Sequence, residues 1–150
     1  MNSNRPKLIR LINYLYRNLQ TRLDAILAPF ELSSGTYPIL LNLSRNEGVS
    51  QNHVCRELHI DKALAARAVQ KLIALGYLKK QADAEDSRAC RLFLTAKAKT
   101  VIPEILRELE SLTNLLVDGM DDAQQEAVLE SLTQILDNCR TRYDRYETIN

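Results

Sequence analysis

The stretch that decides the fold is Val49–Thr95, VSQNHVCRELHIDKALAARAVQKLIALGYLKKQADAEDSRACRLFLT. Ser50 stands where a helix N-cap is wanted, since its hydroxyl can accept one of the orphan backbone N–H groups of the first turn. The short helix that follows turns Val54 and Leu58 inward. His59 then occupies a tight turn where glycine is the common choice, so it is expected to adopt a left-handed backbone. Asp61 caps a second, longer helix, and Gly76 suits its C-terminal cap. Tyr77–Gln81 and Ala89–Leu94 are strand candidates around the polar turn ADAEDS, residues 82–87, and together predict a hairpin.

Working outward, apolar residues at helical spacing, among them Leu8, Ile12, Leu15, Leu19, Leu23 and Leu27, predict a helix from Pro6 to about Leu27. Pro29 ends it, because the residue before a proline avoids the α conformation. Ser33 or Ser34 is expected to cap a further helix that carries Pro38 in its first turn and stops near Gly48, and residues 47–49 can add a very short strand. Downstream, Thr95 caps a long helix bearing Ile102, Ile105 and Leu109, Gly119 breaks it, and Asp121 or Asp122 starts a last helix with Val128, Leu132 and Leu136. The expected class is mainly α with a small β-hairpin wing. Residues 33–99 form the winged helix-turn-helix lobe. Residues 1–32 and 100–150 form a helical dimerisation region, because their apolar stripes need a partner and a symmetric dimer supplies one. The other arrangement is a monomer in which they fold back on their own lobe.

Composition narrows the function. With 45% hydrophobic residues in 150, the chain can build a core and is not expected to be disordered. No apolar run approaches the roughly 18 residues that would span a bilayer, so no membrane partner is expected. The N-terminal MNSNRPKLIRLINYLYRN lacks a small-residue cleavage site and is not read as a signal peptide, which makes a cytoplasmic location the expectation. The net charge of +1 conceals an asymmetry. Ser50–Thr100 holds ten Lys or Arg and five Asp or Glu, a balance of +5 that leaves −4 for the rest of the chain. A basic middle flanked by acidic arms fits an anionic partner.

The helix from Asp61 to Leu75 offers a candidate surface for such a partner. Ala65, Ala68, Val69 and Leu72 fall on one side and can pack inward, whereas Lys62, Ala63, Ala66, Arg67 and Gln70 fall on the other. Small residues at 63 and 66 let the backbone approach a groove floor. Arg67 can pair with guanine O6 and N7 or with a phosphate, and Gln70 with adenine. Lys62 and Lys71 suit phosphates. Taken alone this pattern equally describes a solvated helical face with incidental charge; with the short helix before it and the hairpin after it, the partner it fits is double-stranded DNA.

This segment resembles the winged helix-turn-helix of the MarR family of bacterial transcription regulators. Asp86-Ser87-Arg88 followed by Leu94-Thr95 matches the family's D-x-R-x-x-x-x-x-L-T, and Leu72 with Gly76 matches the L-x-x-x-G that ends its recognition helix. The specific residues are confined to about 40 positions, while helix order and spacing match over nearly the whole chain. The resemblance implies that Arg88 sits at the wing tip and enters the minor groove, with Arg91 close by as a further DNA contact. It implies that Asp86 orients an arginine or steadies the turn; a turn residue bonding its own backbone is the other reading. Two residues depart from the family: His59 in the turn, and Leu64 where Ser or Thr is common on the groove-facing side. Leu64 can meet a thymine methyl or shift the helix slightly.

The resemblance further implies a homodimeric repressor on a palindromic operator, released when a small aromatic effector binds between the dimer helices and the DNA-binding lobe. Tyr14, Arg17 and Tyr37 are the candidates to line such a cleft, with Arg17 facing a carboxylate; plain core packing of the two tyrosines is the alternative. Cys55, Cys90 and Cys139 form no CxxC pair. Cys55 is expected to be buried at a helix crossing, and Cys90 has Arg88 and Arg91 nearby to favour a thiolate. A thiol-based redox sensor is therefore an alternative reading, although such sensors in the family usually carry the cysteine in the first helix, which here has none. A helix-turn-helix module that binds protein rather than DNA is another. His53, Cys55, Glu57 and His59 crowd one short helix, but 53 and 57 point away from 55, so no metal site is expected. With no HExxH, phosphate loop or nucleophile elbow, neither a cofactor nor an enzyme activity is expected.

Overall fold

The computed structural model describes residues 5–86 and 89–147. The elements run α1 (Arg5–Leu27), a single 3₁₀ turn (Ala28–Phe30), α2 (Tyr37–Arg45), β1 (Val49–Ser50), α3 (Gln51–Leu58), α4 (Lys62–Ala74), β2 (Leu78–Ala82), β3 (Cys90–Leu94), α5 (Ala96–Leu116) and α6 (Asp122–Glu147). The chain divides into two compact units, residues 1–109 and 110–150, with the boundary inside α5. This is the mainly helical, hairpin-bearing class that the pattern predicts.

The first unit is built around one apolar core. Leu27, Ile39, Leu40, Leu43, Val54, Val69, Leu72 and Ile105 are fully enclosed, and Leu23, Ile26 and Leu109 pack against them. The C-terminal part of α1 and the N-terminal part of α5 thus share a core with the winged lobe. Pro29 lies within the 3₁₀ turn, and Glu31 closes that turn in the left-handed region at φ 58°. The capping residue of α2 differs from expectation. Ser33 and Thr36 form their own turn, in which the Thr36 hydroxyl accepts the Ser33 N–H at 2.9 Å and donates back to the Ser33 carbonyl at 3.2 Å. The helix therefore starts at Tyr37, with Pro38 in its first turn, where the missing N–H costs nothing.

The helix-turn-helix follows the local rules closely. Ser50 Oγ accepts the His53 N–H at 3.1 Å, and Asp61 Oδ1 accepts the Leu64 N–H at 2.7 Å. His59 takes φ 51°, ψ 45°, the left-handed conformation its place demands, and the Ile60 N–H bonds the Cys55 carbonyl behind it. Cys55 is buried beside this crossing.

The three strands form an antiparallel sheet in the order β1-β3-β2. β3 pairs Val49 with Leu92 on one side and Leu78 with Leu94 on the other. Gly48 enters β1 at φ 80°, with the Phe93 ring only 3.2 Å from where a Cβ would sit, so both backbone sign and space call for glycine. Thr95 locks the hairpin base. Its hydroxyl donates to the Gly76 carbonyl at 2.6 Å and accepts the Ala98 N–H at 3.2 Å as the cap of α5. One side chain thus ties the end of the wing to the next helix.

In the second unit, Gly119 turns the chain at φ 79° and Asp121 caps α6. Asp121 Oδ1 accepts the Gln124 N–H at 2.9 Å while Gln124 Oε1 accepts the Asp121 N–H at 3.0 Å, a reciprocal capping box.

Candidate nucleic-acid interface

α4 carries its two faces as its spacing requires. Ala65, Ala68, Val69 and Leu72 are buried, and Lys62, Ala63, Leu64, Arg67, Gln70 and Lys71 are exposed, with Ala66 between. Among the described residues no ion pair engages Lys62, Arg67 or Lys71. Their charges face solvent from one helix surface whose floor at 63 and 66 is only a methyl group deep. That surface suits a groove lined with phosphates.

The wing is braced by a residue that sequence reasoning passed over. Asp83 Oδ1 accepts the Glu85 N–H at 3.0 Å, and Asp83 Oδ2 pairs with Arg91 Nε at 2.7 Å. The Glu85 N–H, then the Arg91 guanidinium, hold the Asp83 carboxyl below its ordinary range. Arg91 also donates from its terminal nitrogen to the Gly48 carbonyl at 3.1 Å. Its guanidinium thus spans from the wing turn to β1, with its side chain half exposed. The Asp86 carbonyl accepts the Ala89 N–H at 3.0 Å and so shapes the same turn. Arg88 lies outside the described residues.

Two more groups fix the hairpin to the lobe. Glu47 Oε1 accepts the Leu94 N–H at 2.9 Å and Glu47 Oε2 pairs with Lys99 at 3.1 Å. Burial pushes this carboxyl up, but the bonds from Lys99 and Leu94 outweigh it and leave the group below its ordinary value. The buried Tyr77 hydroxyl donates to the Phe30 carbonyl at 2.8 Å, and Lys97 lies 4.4 Å over its ring.

Further cations sit where the notional alternation of a strand would have hidden one of them. Lys79 and Lys80 are both exposed, because β2 buries only Leu78 and presents its remaining residues to solvent as the edge of the sheet. Lys80 lines a cleft of about 390 Å³ with Ser50, Gln51, Asn52 and Cys90, between the start of α3 and the wing. Cys90 is exposed, as is Cys139. The effector candidates differ in exposure. Tyr14 is exposed on α1, Arg17 lines an open cleft of about 280 Å³ with Asn18, Thr21 and Arg22, and Tyr37 packs against the core, where burial raises its hydroxyl pKa. Among the described residues no group of three or more His, Cys, Asp or Glu is placed to hold a metal ion.

The MarR family model matches residues 30–89, which span the whole helix-turn-helix and reach into the wing. A MarR transcriptional regulator from Methanosarcina mazei Go1 is 33% identical, with a TM-score of 0.82, and the match covers 91% of this chain and 99% of that one. The chain belongs to the MarR family. Another relative in sequence is the uncharacterized HTH-type transcriptional regulator YybA of Bacillus subtilis (strain 168), 28% identical over 87% of each chain. A putative MarR family regulator from Listeria monocytogenes, solved in complex with a 26mer DNA, is 25% identical at a TM-score of 0.80 and covers 87% of both chains. MarR proteins are transcriptional regulators and not enzymes, and this chain is a MarR-type winged helix-turn-helix regulator.

Proposed function

We propose that this MarR protein is a homodimeric repressor that binds a palindromic DNA operator and leaves it when a small aromatic effector binds. The observation that carries the reading is the exposed face of α4, where Lys62, Arg67, Gln70 and Lys71 surround the small Ala63 and Ala66. Arg67 and Gln70 read base edges in the major groove, and Lys62 and Lys71 neutralise phosphates. The wing, with Lys79 and Lys80 on its edge strand, grips the flanking backbone, and Arg88 reads the minor groove. Arg91 serves chiefly to hold the wing in place. The Listeria relative's complex with a 26mer DNA supports DNA as the partner.

The dimer is supported by what the chain leaves uncovered. Among the described residues every exposed large hydrophobic except Leu64 lies in α1, α5, the turn after it or α6. Leu11 and Leu15 on α1, Leu115 and Leu116 on α5, and Leu129, Leu132 and Leu136 on α6 form stripes too apolar for solvent. A second copy covers them and makes the two-fold protein that a palindrome requires. The effector lies near Tyr14, Arg17 and Tyr37, with Arg17 facing its carboxylate. No described helix is long and apolar enough to cross a membrane, and the reading places the protein in the cytoplasm with its DNA.

The test is an anisotropy titration of labelled duplexes enriched from a random pool, joined to sedimentation of the complex. Two protomers per duplex are expected. Failure to bind any duplex at low salt refutes DNA recognition, and one protomer per duplex refutes the dimer.

A further inference from the structure

Leu64 is the exception in the pattern just described. It is the one exposed large hydrophobic of the winged lobe among the described residues, at 40% exposure, and it stands on the basic helix face rather than on a terminal stripe. Its place is fixed, because the Asp61 carboxylate holds its N–H at 2.7 Å in the first turn of α4. At 100° per residue, Leu64 lies about 60° around the helix from Arg67 and about 20° from Lys71. Whatever covers Leu64 must therefore also accept two cations.

We propose that Leu64 is a specificity-determining residue that selects thymine through its C5-methyl group. The inference rests on α4 being the recognition helix. Arg67 and Lys71 on the same side of α4 as Leu64 fit a polyanion and not an apolar protein groove. On the major-groove edges of DNA the thymine methyl is the sizeable apolar group, while guanine, adenine and cytosine offer donors and acceptors there. Against the methyl, Leu64 buries apolar surface on both sides. Against the other bases it strips water from a polar edge and returns no hydrogen bond. A Ser or Thr at this place would tolerate either kind of base, since a hydroxyl both donates and accepts. The leucine thus trades tolerance for a preference.

The experiment uses the full chain and a duplex enriched from a random pool. Each thymine is replaced in turn by deoxyuridine, which keeps its pairing edge and loses only the methyl. One thymine per half-site is expected to weaken wild-type binding about fourfold when so replaced, the value of one buried methyl. The Leu64→Ala variant keeps its fold because the side chain is exposed and alanine favours helix, and it is expected to bind thymine and uracil duplexes alike. Wild-type binding that is indifferent to every replacement overturns the assignment while leaving DNA recognition intact. Uracil sensitivity that persists undiminished in Leu64→Ala also overturns it, since another residue then reads the methyl. No binding to any duplex removes the recognition reading, and this inference with it.

Discussion

Lys71→Ala offers a sharp quantitative handle on the interface. Lys71 is exposed on α4, clear of the buried face at Ala68 and Leu72, so truncation leaves the core intact. With Lys62 and Lys71 each neutralising one phosphate, a dimer neutralises at least four. The slope of log K against log salt is then about −3.6, which amounts to roughly a 150-fold loss of affinity between ~50 and ~200 mM salt. Lys71→Ala removes two of those contacts, so the slope should fall by about 1.8 and the loss over the same range to roughly twelvefold. Contacts from Lys79, Lys80 or Arg88 steepen both curves equally and leave the difference unchanged. The assay is fluorescence anisotropy of one duplex at five salt concentrations, with circular dichroism confirming a native helix content. Because phosphates carry no sequence information, the loss should be the same for operator and mismatched duplexes. An unchanged slope in a folded variant would show that Lys71 does not face phosphate and that the docking of α4 is wrong.

Three further outcomes follow from other parts of the molecule. Leu132→Glu places a carboxylate on the exposed α6 stripe and should shift the dimer toward monomer by at least a hundredfold in Kd, since an unpaired buried charge costs several kcal/mol; sedimentation showing a wild-type dimer would put the interface elsewhere. Asp83 is held below its ordinary pKa of 3.8, so its contribution to the wing is fully present above that value and is lost as pH falls through the lower folded value. Thermal melts of the wild type should therefore decline on that acid limb, and Asp83→Asn should be less stable at neutral pH and show a shallower acid decline; parallel pH curves for the two would contradict the brace. Cys90→Ala should respond to the native effector like the wild type, because the adjacent Arg91 charge is already paired with Asp83; DNA release by dilute peroxide that vanishes with Cys90 alone would instead promote the thiol-sensing reading.

The parts of the fold legible in the sequence are those governed by short-range chemistry. The caps at Ser50 and Asp61, the left-handed His59 and the closing Gly76 all depend on residues within a turn of one another, and each stands where the pattern places it. The α2 start was less legible, because Ser33 and Thr36 can bond each other as readily as they can cap a helix, and the backbone geometry decides which. Arg91 shows the larger limit. The resemblance marks it as a DNA contact, and what the sequence does not show is its partners within the protein, Asp83 across the hairpin turn and the Gly48 carbonyl 43 residues away, a pairing only the folded sheet creates. Lys79 and Lys80 count toward the basic segment in the sequence, but that both face solvent is not legible there, since strand alternation implies that one of two neighbours faces inward, whereas an edge strand next to solvent can expose both. Leu64 was visible as an oddity, and its meaning became clear only once the rest of its lobe proved free of exposed large hydrophobics.

The most direct test of the central claim is a hydroxyl-radical footprint on duplexes selected from random DNA by the full chain. Two protected patches related by a dyad and centred about one helical turn apart, ~10 bp, are expected if two α4 helices of a dimer enter successive major grooves. A selection that enriches no sequence, or a single asymmetric patch, would contradict it.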